Sequence, residues 1–83
     1  MRAALFVETG APLTIENLEP APPGPKDVVV QLGASGVCHS DYSHWSRDTW
    51  SQLPLVLGHE GAGVVARVGA GVTRVKAGDH VII

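Results

Sequence analysis

Between Gly36 and Trp45 the chain reads GVCHSDYSHW, and this stretch holds its single cysteine, Cys38. His39, Ser40 and Asp41 follow directly, and His44 completes the group. A second cluster, Gly58-His59-Glu60, comes later in the chain. A thiolate and an imidazole are donors that zinc prefers, and both must be unprotonated to bind. A metal-bound imidazole commonly donates its other N–H to a carboxylate, and Asp41 and Glu60 are the carboxylates at hand. A catalytic zinc takes three protein ligands and keeps one position open. Cys38 and His59 supply two, and no third is evident. The same residues also have plain structural readings. An unpaired cysteine often serves as a small buried apolar side chain, and a histidine beside a glycine can cap a strand or face solvent. His44 is close to Cys38 in sequence, and because an unperturbed imidazole has a pKa of about 6.5 its place suits a proton relay or a surface position equally. His80 opens an apolar strand and is placed at its rim. Trp45 and Trp50 bracket SRDT and either wall an apolar pocket or cover a small core.

The elements that must position these residues read as strands. RAALFV (2–7) and LTIENL (13–18) flank ETGAP, which its Gly and Pro mark as a turn. PAPPGPKD (20–27) carries four of the six prolines and is an extended connection. In VVVQLGAS (28–35) a period of two places Val28, Val30 and Leu32 on one face, with Val29 and Gln31 on the other. GAGVVARVGAG (61–71) places Val64, Ala66 and Val68 on one face and Arg67 opposite, then turns at its last glycines. KAGD (76–79) is a further turn, and HVII (80–83) begins another strand. Only residues 38–46, free of Gly and Pro, allow helical turns. Short strands with Gly and Pro between them predict a mainly β fold, a small barrel or sandwich. GAGVVA (61–66) also matches the dinucleotide fingerprint G-x-G-x-x-G/A. That fingerprint needs a following helix and an acid about 20 residues on. The residues that follow are β-branched and broken by glycines, and position 82 is Ile, so a strand with a glycine-rich entry is expected instead.

Bulk properties exclude several classes. The 83 residues make one domain at most. A chain of this size buries only about 60% of the surface its unfolded form exposes, so it needs a metal, a partner or more chain. With 45% hydrophobic and 17% charged residues it is globular rather than disordered. A net charge of −2 with its basic residues scattered singly predicts no nucleic-acid partner. The apolar runs are too short to span a membrane, and MRAALFVETG is too short in its apolar part for a signal peptide. One cysteine allows no internal disulfide. Together these predict a cytoplasmic protein with no membrane partner. The apolar, uncapped ending DHVII reads as a chain cut in mid-element.

GVCHSD (36–41), LPLVLGHEGAGVV (53–65) and VTRVKAGDHVII (72–83) together resemble the start of the zinc-dependent, medium-chain alcohol dehydrogenases. The resemblance runs across essentially the whole chain, and GHEGAG is its most specific piece. It implies a GroES-like, partly open β-barrel, truncated here, with a short helical turn near the metal loop. Residues 1–83 would form the amino-terminal part of the catalytic domain, and the Rossmann cofactor domain would lie outside this chain. Cys38 and His59 are implied as ligands of the catalytic zinc, with a third ligand, usually cysteine, from well downstream. Asp41 would hold His59 by a hydrogen bond, and Glu60 would sit close behind the metal. Ser40 corresponds to the hydroxyl that takes the alcohol's proton, and His39 to the residue that meets the cofactor pyrophosphate. The implied reaction passes a hydride from a small alcohol to NAD or NADP and leaves an aldehyde or ketone. Many members have a histidine where this chain has Ser43. The expectation is that the loop shifts by one residue and His44 completes the proton relay.

Without the cofactor domain, the third ligand and the family's four-cysteine structural zinc lobe, the 83 residues alone are expected to be inactive. The parent protein is expected to be a homo-oligomer. Two other readings stand beside this one: a non-catalytic GroES-like binding module, and a zinc-free relative of the quinone reductase type. CHSD and GHE argue against the first, and Cys38 and His59 against the second.

Overall fold

A computed structural model describes residues 1–47 and 52–83, and Trp50 lies outside the described residues. Along the chain run β1 (Arg2–Phe6), β2 (Thr14–Asn17), β3 (Val28–Ser35), α1 (His39–Ser46), β4 (Leu55–Val56), β5 (Gly61–Val68) and β6 (His80–Ile82). The strands form two antiparallel three-stranded sheets, with no closed barrel among the described residues. Among the described residues the chain is therefore mainly β with one short helix. None of the described helices is long and apolar enough to cross a membrane. The chain divides into two compact units, Met1–Pro20 with Val37–Gly58, and Ala21–Gly36 with His59–Ile83.

The first unit holds the sheet ordered β2-β1-β4 and the helix α1. Its central strand β1 pairs with β2 from Arg2↔Asn17 to Leu5↔Thr14, and with β4 through Leu5↔Val56 and Phe6↔Leu55. The ETGAP turn forms as expected and closes with Ala11 N–H donating to the Glu8 carbonyl at 3.2 Å. Phe6 is this unit's buried core side chain, 1% exposed. β4 is not expected from the sequence. A two-residue strand beside Pro54 is too short to show a period, and proline is confined to sheet edges.

The second unit holds the sheet ordered β3-β5-β6. β3 spans 28–35 as read from VVVQLGAS, and GAGVVA lies inside β5, so the glycines belong to a strand and no phosphate-binding turn forms. The expected alternation along β3 does not hold cleanly. The register with β5 shifts between Val29 and Val30 and again between Leu32 and Ala34. The unpaired residue is Ala66 of β5 at the first shift and Gly33 of β3 at the second, and a bulge turns the pair locally; Val29 and Val30 are both half-buried and Val28 is exposed. On β5 the core residue is Val65, 2% exposed, whereas Ala66 of the expected apolar face is exposed. A period of two separates the faces of a strand without saying which one is covered.

The KAGD turn is held by its own ends. Lys76 donates its backbone N–H to Asp79 Oδ2 and its ammonium to Asp79 Oδ1, both at 3.0 Å. Gly78 N–H and the Asp79 carbonyl in turn bracket Val65, each at 2.8 Å. The backbone N–H of Lys76, then its side chain, hold the Asp79 carboxyl below the usual carboxylate range. A carboxyl lowered in the folded state contributes stability above its unfolded value, and that stability is lost as pH falls through the folded value. Asp79→Asn is therefore expected to lower the melting temperature at neutral pH. The gap to the unaltered chain should close as pH drops through the carboxylate range, which thermal denaturation at stepped pH would read.

Candidate metal centre

Cys38 stands at the N-cap of α1 with extended backbone angles, φ −97° and ψ 155°. Its side chain is a free thiol, half-buried. Asp41, three residues on, reaches back so that the Cys38 backbone N–H donates to its Oδ2 at 3.0 Å. In return Asp41 N–H donates to the Cys38 carbonyl, also at 3.0 Å. This is the N3-acid half of a capping box, with cysteine where serine or threonine is usual. Asp41 thus fixes the backbone that carries the thiol. The sequence points to Asp41 as the support of His59, although an acid three residues after a candidate N-cap is itself the signal for the capping role.

The rest of the first cluster rides on α1. His39 is exposed, and Ser40 and His44 are half-buried. Ser43 lies one turn beyond His39, donating its hydroxyl to the His39 carbonyl at 3.2 Å, with its Oγ 3.4 Å from His39 Nδ1. His44 is one residue further, about 100° round the helix from Ser43. Ring contacts run along the helix as well: His39 and Tyr42 have centroids 5.8 Å apart, and Tyr42 and Trp45 5.7 Å.

The second cluster belongs to the other unit. Gly58, which ends the first, has φ 127°, a conformation that strains any residue with a Cβ. His59 and Glu60 follow and lead into β5, with His59 Nε2 3.9 Å from Glu60 Oε1 and both side chains about half exposed, 55% and 47%. That pair is an ion pair only when the imidazole is protonated. Glu60 is anchored through its main chain, because its carbonyl accepts the Gly36 N–H at 2.7 Å. Gly36 leaves room for this: a Cβ there would meet the Glu60 side chain, its Cβ at 3.3 Å among the atoms met. The structure therefore gathers Cys38, His39, Ser40, Asp41 and His44 on one helix and its cap, and sets His59 and Glu60 side by side at the mouth of β5. His80 lies apart, exposed at the start of β6.

Residues 24–83 match the alcohol dehydrogenase GroES-like domain, and the chain belongs to that family. It is 51% identical over 82 residues to the S-(hydroxymethyl)glutathione dehydrogenase of Photobacterium damsela subsp. piscicida, covering 98% of this chain and 22% of that protein. Among solved structures it is similar to an NAD-dependent alcohol dehydrogenase, with 39% identity and a TM-score of 0.91 over 100% of this chain and 25% of the other. It is also similar to the Escherichia coli quinone oxidoreductase complexed with NADPH, with 33% identity and a TM-score of 0.92 over 99% of this chain and 26% of the other. The chain thus spans about a fifth to a quarter of the length of these relatives.

Proposed function

We propose that the protein containing this chain is a zinc-dependent alcohol dehydrogenase that uses NAD or NADP, with Cys38 and His59 as two of the zinc ligands. The donor set carries the reading. A single thiol and a half-exposed imidazole stand at the positions where the chain passes from one unit to the other. The chain's own connectivity supports their pairing. Consecutive Cα atoms lie about 3.8 Å apart, so Cys38 stays within two such steps of Gly36. The Gly36 amide is bonded to Glu60, the neighbour of His59.

Bound there, zinc would supply Lewis-acid stabilisation of negative charge on the substrate oxygen. The remaining roles fall to side chains of this chain. Asp41 holds the Cys38 backbone in place through the cap and, in this reading, also supports His59. Ser40, next but one to the thiol, accepts the proton of the alcohol. His44 passes that proton outward, His39 meets the cofactor pyrophosphate, and Glu60 stands behind the metal. Most of the cofactor site, the third ligand and the second half of the substrate pocket lie outside these residues. A cytoplasmic, homo-oligomeric enzyme acting on small alcohols or aldehydes, with the 83 residues inactive by themselves, belongs to the same proposal.

The likeness to quinone oxidoreductase keeps a second reading in view, an NADPH-dependent quinone reductase without zinc. One experiment separates the two. The purified full-length protein is analysed for metal, then assayed for alcohol-dependent formation of NADH or NADPH and for quinone-dependent oxidation of NADPH. Stoichiometric zinc with alcohol oxidation is expected. A metal-free protein that reduces quinones would overturn the proposal.

A further inference from the structure

We infer that Trp45 is a positioning residue for the reaction proposed above, holding α1, and with it Ser40 and His44, against the turn between β1 and β2. The inference rests on that functional reading for its catalytic consequence and on geometry for the rest. α1 has only eight residues and buries none of them. Helices shorter than about 12 residues are marginal on their own and are normally held by an apolar face, which α1 lacks. Something else must fix it. Its start is held by the exchange between Cys38 and Asp41.

Its end is held by Trp45 twice over. The Trp45 carbonyl, one of the last-turn carbonyls that a helix leaves without internal partners, accepts the Gly10 N–H at 2.8 Å. The Trp45 indole Nε1–H donates to the Ala11 carbonyl at 2.7 Å. Main chain accepting and side chain donating on adjacent residues of one turn fix both the height of the helix and its rotation about its axis. A single bond would leave the rotation free. Tyr42 and His39 extend the same face at intervals of three residues, each ring in contact with the next, so the setting of the indole is passed toward the start of the helix. Ser40 and His44 are set by the same rotation.

Misplacement of a reacting group by about 1 Å can cost a hundredfold in rate. In the full-length protein, Trp45→Phe keeps a ring and removes the donor. The expected result is faster hydrogen exchange at the α1 amides, unchanged zinc content, and a kcat lowered by about tenfold or more with KM for the alcohol little changed. A residue that merely stabilised the fold would lower the fraction of active protein and leave kcat per active site alone. If exchange in α1 is unchanged, Trp45 does not hold the helix and the inference falls. If exchange rises and kcat per site does not move, Trp45 is a staple without a positioning role, and the inference falls equally. An unaltered protein inactive toward alcohols would count against the proposed reaction, and the exchange measurement would still decide whether Trp45 holds α1. Should Trp45→Phe fail to fold, the benzothiophene isostere of tryptophan, which keeps the ring shape and lacks the N–H, carries the same test.

Discussion

Cys38→Ser is expected to strip zinc from the full-length protein and to lower alcohol oxidation by more than about a hundredfold, because loss of a residue that only supports a ligand already costs 10–100-fold. The reason is the donor atom. A thiolate forms readily near neutral pH beside a cation, whereas a serine hydroxyl does not ionise there and offers zinc a poor ligand. The same substitution should leave the fold intact. The Cys38 backbone N–H and carbonyl make the hydrogen bonds that begin α1, and where the sulfur faces the Asp41 N–H in the capping box a serine hydroxyl can take its place. Serine is moreover among the best N-cap residues, so the helix start is kept or slightly strengthened. Metal analysis and circular dichroism on the same sample would separate the two effects: zinc lost, helix and strand signal retained. Full zinc content and an unchanged rate in the variant would remove Cys38 from the ligand set.

The strands were legible because β-branched runs bounded by Gly and Pro have few other ways to fold. VVVQLGAS coincides with β3 residue for residue, and the first two strands end one residue inside their apolar runs, at Phe6 and at Thr14 and Asn17. What stayed hidden has a physical cause in each case. Val65, not the Val64 face, is the core of β5, since alternation cannot tell a covered face from an open one. Of the two bulges, the one at Gly33 has a sign in the sequence, a glycine inside a strand, and the one at Ala66 of β5 has none. The candidate site residues stand out in the sequence by type, as thiol, imidazole and carboxylate in short clusters. Their supports stand out less. Asp41 as the acid of a capping box is concealed by a cysteine in the place of serine. The Trp45 bond to Ala11 has no sequence mark at all, because its acceptor is a main-chain carbonyl far away in the chain.

Phe6→Ala is expected to be the most damaging single change to the first unit, costing about 3–5 kcal/mol as phenylalanine-to-alanine changes in cores do. Phe6 is 1% exposed on the central strand of its sheet, and it is the unit's one fully buried large side chain among the described residues. On the proposed zinc reading the consequence should reach the metal although neither proposed ligand is altered. α1 is tied to the turn that follows β1, and Cys38 is the cap of α1, so loosening β1 loosens the thiol's support. Zinc binding and folding of this unit are then linked, and added zinc should offset part of the loss. A ligand that binds only the folded state stabilises it by about 2.7 kcal/mol at a hundred times its Kd. Denaturant titration of the full-length Phe6→Ala protein with and without excess zinc reads this directly. The midpoint should rise on adding zinc in Phe6→Ala and stay put in Cys38→Ser. A zinc response equal in both variants would break the link between the core of this unit and the thiol at the head of its helix.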